Sequence, residues 1–310
     1  MEKYVAIIGA ANVDIGGASI NPLNFRDSNP GHLKVNYGGV GRNIAHNLAL
    51  LGVPVKLISV VGDDLVGSGL VEFCTNLGID MSHTLVNVGN STSMYLYINQ
   101  NDGDLAVALS DIKIDALTPE YLASVKDVLD NAAMVVVDMN VAEASIAWVE
   151  DNVKAPIFID PVSVGKCIEN NLKGHLKGID TIKPNEIEAS FLTDMTINTE
   201  ADAKAAARAL LDIGIRRVFL SMGRHGIIAA ERNSDGTYHM ELHKSCEAEI
   251  ISTTGAGDSS VAAIIWSLLK GCPIDEAARY ANAVAALTIE SSEAINSMLS
   301  EDLINKKLGN

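Results

Sequence analysis

The sequence predicts an α/β protein: a mostly parallel central sheet with helices around it, and a small β-sheet lid over one edge. Three observations carry this. Short apolar runs of strand length alternate with segments of helical period, the pattern of parallel strands joined by crossover helices. Two stretches, 15–37 and 92–110, interrupt that rhythm with extended, turn-rich sequence. The chain's 310 residues, 48% of them hydrophobic, suffice for one large core with a small appendage.

Taken in order, a buried strand is expected over 4–9. The 15–37 stretch follows, rich in Gly, Asn, Pro and Ser and without helical period. A helix over 43–51 is stopped by Gly52, a strand spans 55–60, and a helix over 65–77 ends at Gly78. The 92–110 stretch has the form of a hairpin, with strands at 93–98 and 105–109 around a polar turn at 99–104. Beyond it the pattern gives a helix over 119–129, a strand over 134–137, a helix over 143–149 and a strand over 157–159. A strand at 181–183, helices at 186–192 and 201–211 (with Gly214 after the second) and a strand at 218–221 follow. A hairpin around Asp235-Gly236 precedes helices over 258–269, closed by Gly271, and 274–289. The core thus takes 1–14, 38–91 and 111–310. The inserts 15–37 and 92–110 meet as a lid, or as an ordinary extension of the sheet edge.

Charge narrows the partners. A formal net charge of −16 without any lysine or arginine run speaks against a nucleic-acid polymer or an anionic membrane. Cys74, Cys167, Cys246 and Cys272 are scattered, with no metal spacing, as expected of reduced cytosolic thiols. The first residues lack a signal-peptide pattern, and apolar runs such as 261–269 are far short of a membrane span. A cytoplasmic protein is expected.

The strongest local signal is Thr253-Thr254-Gly255-Ala256-Gly257-Asp258, directly before an apolar helix. Glycines let successive N–H groups converge, and the helix N-terminus adds positive potential, so the turn suits an anion. Asp258 beside it can accept the proton of an attacking hydroxyl, as phosphoryl transfer requires, or can serve only to start the helix.

Gly38-Gly39-Val40-Gly41-Arg42-Asn43 also opens a helix. A dinucleotide fingerprint would need a buried strand before it and a third glycine where Ile44 stands, so an oxidoreductase has little support. Asn12 and Asp14 follow the first strand, where open parallel sheets bind ligands, and they offer groups for sugar hydroxyls; an Asx-type turn is the plainer alternative. Asn185 and Glu188, three apart at a helix start, can hold a hydrated Mg²⁺ or form a capping box. Ser221, Gly223 and Gly226 close another strand and can border a nucleotide. No nucleophile elbow is present, which leaves a hydrolase unsupported.

Together these motifs resemble the ribokinase-like (PfkB) carbohydrate kinase family along nearly the whole chain. The family's early GG-x-G-x-N corresponds to Gly38 to Asn43, and its late GAGD-type signature to Ser252 to Asp258, with Asn12-Val13-Asp14 and the Asn185/Glu188 motif in the expected places. The resemblance implies a ribokinase-like three-layer sandwich with a β-sheet lid. Asp258 would be the base, and the amides of Gly255, Ala256 and Gly257 the anion hole. Asn12, Asp14, Gly38, Gly39 and Asn43 would bind the sugar part of a nucleoside substrate. Asn185, Ser221, Gly223, Gly226 and Asn282 would border ATP, and Glu188 would organise Mg²⁺ through water. A monovalent cation such as K⁺ is also implied, although Ser252 replaces the usual Asp at its site. Homodimerisation through the lid is implied as well.

Within the family, Asp27 to Gly31, Gly38 to Ala45, Asn47 to Gly52, Asp160 to Ser163 with Lys166-Cys167, and Ser221 to Gly223 resemble the pseudouridine kinases. This implies transfer of phosphate from ATP to the 5′-hydroxyl of pseudouridine. Another nucleoside, free ribose, or a non-catalytic ligand sensor are the alternatives. The group that reads the base is left open among Asn29, Thr92, Asn140 and the neighbourhood of Lys166.

Overall fold

Successive residues of a strand face opposite ways, and that alternation sets the layers here. In the computed structural model, which describes residues 3–102, 104–233 and 235–309, β1 (Val5–Ile8) is buried on both faces. It sends Ala6 and Ile8 into one apolar cluster, and Val5 and Ile7 into another. β2 (Asn12–Ser19) and β3 (Gly31–Gly38) form a hairpin that leads straight into α1 (Val40–Leu50). β4 (Val55–Ile58), β5 (Val60–Gly62), α2 (Leu65–Asn76) and β6 (Leu85–Asn87) follow. A second hairpin, β7 (Met94–Asn99) and β8 (Leu105–Asp111), precedes α3 (Pro119–Ser124) and α4 (Lys126–Asp130).

The middle of the chain alternates β9 (Met134–Asp138), α5 (Glu143–Asn152), β10 (Ile157–Asp160), α6 (Val164–Glu169), β11 (Thr181–Ile182) and α7 (Glu186–Thr193). Then come α8 (Glu200–Ile213), β12 (Arg217–Ser221), β13 (Ile227–Arg232) and β14 (Tyr238–His243). Three helices close the chain: α9 (Ala256–Leu269), α10 (Ile274–Ile289) and α11 (Glu301–Leu308).

The main sheet has the order β14-β13-β12-β11-β10-β9-β1-β4. Its strands are parallel from β4 to β12, and the β13–β14 hairpin continues it antiparallel. One face is covered by apolar residues of α3, α5, α7 and α8, the other by those of α1, α9 and α10. The result is the expected three-layer sandwich. Among the described residues no helix is long and apolar enough to cross a membrane.

The two inserts do join in one separate sheet, of order β3-β2-β7-β8. Its register gives it two chemically different faces. Asn36, Asp14, Tyr95 and Ser110 lie across one row, with Lys34, Gly16, Tyr97 and Ala108 across the next row of the same face. Val35, Ile15, Leu96 and Leu109 form a row of the opposite face.

Some boundaries differ from the sequence expectation. The lid sheet includes Asn12 to Asp14, Gly38 and Asp111, so the core segments 1–14, 38–91 and 111–310 each yield residues to it. The 55–60 strand divides: Val60 leaves the main sheet and pairs with Leu85 in a two-stranded sheet. The 119–129 helix breaks at Val125, whose backbone (φ −110°, ψ 14°) is not helical. The first helix begins earlier, at Val40, because the chain turns at Gly39 (φ 95°). α6 and α11 were not expected from periodicity; they are short, and each starts at a serine, Ser163 or Ser300, whose hydroxyl accepts an amide of the first turn. Gly103, within the expected 99–104 turn, lies outside the described residues.

Candidate active site

β9 and β10 end side by side in a carboxylate each, Asp138 opposite Asp160. This is the C-terminal edge of the parallel sheet, where chain leaving the strands frees space for ligands. Asp138 is fully buried. Its Oδ2 accepts the amides of Ala10 and Gly41, both at 2.8 Å, and its Oδ1 accepts that of Asn140 at 2.9 Å. It therefore ties the end of β1 to the start of α1. Burial pushes its carboxyl up to about 6 in spite of those amides, and Asp160 adds to the rise. Asp160 is itself raised by burial, with Lys183 opposing, and its Oδ1 accepts the Val162 amide at 2.7 Å.

The first turn of α1 carries the next group. Arg42, only 2% exposed, has no carboxylate partner among the described residues. It is spent instead on the carbonyls of Gly38 and Tyr37, on Asn43 Oδ1 and on His46 Nδ1. Because a guanidinium only donates, it fixes two orientations. Asn43 turns its oxygen to Arg42 and its amide to Asp258, donating to Oδ2 at 2.7 Å. His46 must accept at Nδ1, so its proton sits on Nε2. Burial and Arg42 hold that imidazole neutral, its pKa lowered to about 4.

Asp258 stands in the first turn of α9, and the turn before it demands glycine. Gly255 has φ 80°, and a Cβ there would meet the Ala294 carbonyl oxygen at 2.0 Å. The Ala256 amide makes one long bond, 3.4 Å, to the Thr253 carbonyl. Among the described residues the amides of Gly255, Gly257 and Asp258 have no protein acceptor, so an anion placed there meets unspent donors and the positive end of a helix. Burial raises the Asp258 carboxyl to about 7, Asp160 raises it further, and Asn43 and Lys183 oppose. A base poised there is ionised near neutrality yet still basic.

Two cavities flank this turn, one touching Thr253 and Ala256 and the other Thr254. One, of about 540 Å³, is lined by Asp258, Ala256 and Gly257, by Asp160, Lys183 and Glu188, and by Asn185, Ser221, Gly223, Gly226 and Asn282. Every nucleotide-side residue expected from the sequence is therefore on one wall system. The other, of about 750 Å³, lies between core and lid, lined by Asp14, Arg42, His46 and Thr254 and by Tyr37, Tyr95 and Tyr97. Asp14 reaches it because Gly38, diagonally across the β2–β3 pair, has no side chain; a Cβ there would lie 2.3 Å from Asp14 Oδ2. Burial raises the Asp14 carboxyl, while the Asn12 amide at 2.6 Å and Arg42 oppose.

Asn12 is buried and acts on Asp14 rather than on the cavity. Gly38 gives its carbonyl to Arg42, and Gly39 caps α1. Asn185 and Glu188 form the capping box: Asn185 Oδ1 accepts the Ile187 and Glu188 amides, and Glu188 Oε2 accepts the Asn185 amide at 2.9 Å. Glu188 still lines the nucleotide cavity, 4% exposed, its carboxyl raised by burial. Asn282 Nδ2 donates to the carbonyls of His243 and Lys244, and Ser221 Oγ to that of Pro184.

The four base-reading candidates are not brought to the lid cavity. Asn29 closes the β2–β3 turn on Asn24 and Asp27. Thr92 is 1% exposed and held between Asp64 and the Gly62 amide. Lys166 pairs with Glu169 at 2.8 Å. Asn140 lies half-buried past β9, its amide on Asp138, and lines neither cavity. In Asn29, Thr92 and Lys166, local polar partners use the group a ligand would need. Ser252, at the implied cation position, gives its hydroxyl oxygen to the Thr254 amide at 3.3 Å and supplies no carboxylate.

Sequence reasoning passed over Arg42, His46 and Asp138 as site residues. The signal for Asp138 was present, since a carboxylate ends the apolar run MVVVD at a parallel strand's C-terminus.

A three-layer sandwich with a basic carboxylate at a helix-start anion site defines a phosphotransferase of ribokinase type. The chain belongs to the pfkB family of carbohydrate kinases, whose model matches residues 2–301. It is similar to the pseudouridine kinase of Escherichia coli, 36% identical over 96% of this chain and 94% of that one. It also resembles the guanosine-inosine kinase of Exiguobacterium acetylicum, 30% identical over 93% of this chain and 95% of the relative. The fold matches that of Arabidopsis thaliana ribokinase, solved with ribose and ATP, at a TM-score of 0.83 and 22% identity, covering 99% of both chains. The protein is a sugar or nucleoside kinase that uses ATP.

Proposed function

We propose that this kinase phosphorylates the 5′-hydroxyl of pseudouridine, yielding pseudouridine 5′-phosphate. The observation that carries the reaction is Asp258, raised to about 7 in the wall of the nucleotide-side cavity, with the lid cavity on the Thr254 side of the same turn. The ribose lies toward Asp14, whose carboxylate accepts from its hydroxyls, and O5′ lies beside Asp258. Asp258 takes the O5′ proton as the O5′–phosphorus bond forms and the bond from the γ-phosphorus to the β,γ-bridging oxygen breaks, leaving ADP. The amides of Gly255, Ala256 and Gly257 receive the charge of the transferring group.

The donors near Glu188 suit Mg²⁺. Glu188 and Asp160 are buried carboxylates, each with one oxygen taken by a backbone amide, and a hard ion held through water needs few protein oxygens. When bound, the ion neutralises phosphate charge. The setting is the cytoplasm, where four free thiols are at ease.

The pseudouridine reading is supported by the 36% identical relative and by a cavity with stacking surface and polar groups. Tyr95 and Tyr97, 5.8 Å between ring centroids, line it. Pseudouridine's C-glycosidic link leaves an extra ring N–H. Asn36 and Asn99 line the lid cavity, and the side-chain oxygen of either can accept that proton. A site built for it disfavours uridine by about 1–3 kcal/mol.

The likeness to a guanosine-inosine kinase makes another nucleoside the second reading. A panel of pseudouridine, uridine, guanosine, inosine, adenosine and ribose under identical ATP and Mg²⁺ decides it. Pseudouridine is expected to give the highest kcat/KM; a better competitor replaces it as substrate. Thermal stabilisation by nucleosides without any turnover would instead make the protein a ligand sensor.

A further inference from the structure

At the far edge of the main sheet, β14 presents His239, Glu241 and His243 at alternate positions, and therefore on one face. Asp275, in the first turn of α10, projects into the same spot. The Nε2 atoms of His239 and His243 each lie 2.9 Å from its carboxylate. Ligand atoms of His239, Glu241 and Asp275 fall within 4.8 Å of one another. Among the described residues neither carboxylate is paired with a lysine or arginine, and neither imidazole has a protein partner at Nδ1. The His239 imidazole can therefore carry its proton on Nδ1 and offer Nε2.

We propose that this cluster is a divalent transition-metal site of the Zn²⁺ class, with His239, Glu241 and Asp275 as ligands and His243 holding the Asp275 carboxylate from behind. A tetrahedral ion with ligands at ~2.0–2.1 Å sets neighbouring ligand atoms roughly 3.3 Å apart. The 2.9 Å contact of His239 with Asp275 needs to open by a few tenths of an ångström, and the exposed Glu241 carboxylate, within 4.8 Å of both, to swing in. An imidazole beside two carboxylates favours zinc, cobalt or nickel over Mg²⁺, which seeks oxygen alone. The ion clasps the edge strand to α10, beside the wall where the His243 carbonyl accepts from Asn282 at 2.8 Å.

The test uses the whole protein, dialysed against a chelator and titrated with ZnCl₂ by calorimetry, with thermal melting in parallel. One Zn²⁺ per chain and a raised Tm are expected, with millimolar Mg²⁺ failing to compete. His239→Ala, which removes the imidazole ligand, should weaken binding at least about tenfold, the cost typical of losing even an outer-shell partner, and Glu241→Gln should weaken it in the same direction. Absence of binding by the native chain overturns the proposal. Equal binding by native and His239→Ala protein overturns it too, placing zinc elsewhere, for instance on Cys246 or Cys272. Binding without a rise in Tm refutes the clasp.

Discussion

Asp258 owes its chemistry to what surrounds one carboxylate. Burial and Asp160 raise it, and a single amide from Asn43 holds its Oδ2 in place. Asp258→Asn keeps the shape and removes the proton acceptor. Its kcat should fall by ~10²–10⁴-fold, the usual worth of general-base help, while acceptor affinity measured by calorimetry stays within a few-fold. A near-normal kcat would remove Asp258 from the role of base.

The pH dependence follows from the same residue. A base works ionised, so kcat/KM should rise with pH through about 7 and level off above it. The variant's residual rate should lack that rise. The linkage to stability has the opposite sense. A carboxyl that titrates near 7 when folded, and at about 3.9 when unfolded, binds protons more tightly in the native state. Native stability therefore falls as pH rises between those values. Asp258→Asn should melt higher than the native chain above neutrality, and the gap should close in acid. A gap independent of pH would place the ionisation elsewhere.

At the scale of elements, the start of α7 performs two tasks with one motif. The capping box satisfies first-turn amides, and Glu188 then has one oxygen left for the nucleotide side. Glu188→Gln retains an amide oxygen for the Asn185 N–H but deletes the charge. It should raise the Mg²⁺ concentration for half-maximal rate, with little change in Tm. An unchanged Mg²⁺ titration would leave Glu188 as a cap alone. The helix boundary, the glycine turn before α9 and the β7–β8 hairpin were legible from periodicity and turn chemistry, while β2–β3 was legible only as extended sequence. The base-reading residues were not: Thr92 and Lys166 are polar groups at plausible positions, yet Asp64 and Glu169, close to them in space, claim them.

For the whole molecule, the lid is the element with an unsatisfied face. Leu33 is 82% exposed and Leu109 66%, on the face opposite the Asp14 and Tyr95 row. Exposed apolar area of this kind marks an interface. We propose that two copies pair through it. Light scattering should find a dimer for the native chain and a monomer for Leu33→Asp/Leu109→Asp. A native monomer, or a variant that still pairs, would sink the idea.

The sequence by itself determined the layered α/β fold, because strand and helix periods and the glycine stops are local properties that any tertiary arrangement must respect. It also determined the order of the motifs, and with it the family and the residue proposed as base. The tertiary structure decided what those motifs mean to one another. Asp138, ninety-seven residues from Gly41, ties α1 to β1. Arg42 turns Asn43 toward Asp258, 215 residues away. Orientation, burial and shifted acidity arise from contacts between distant segments, and no local pattern encodes which distant group will arrive.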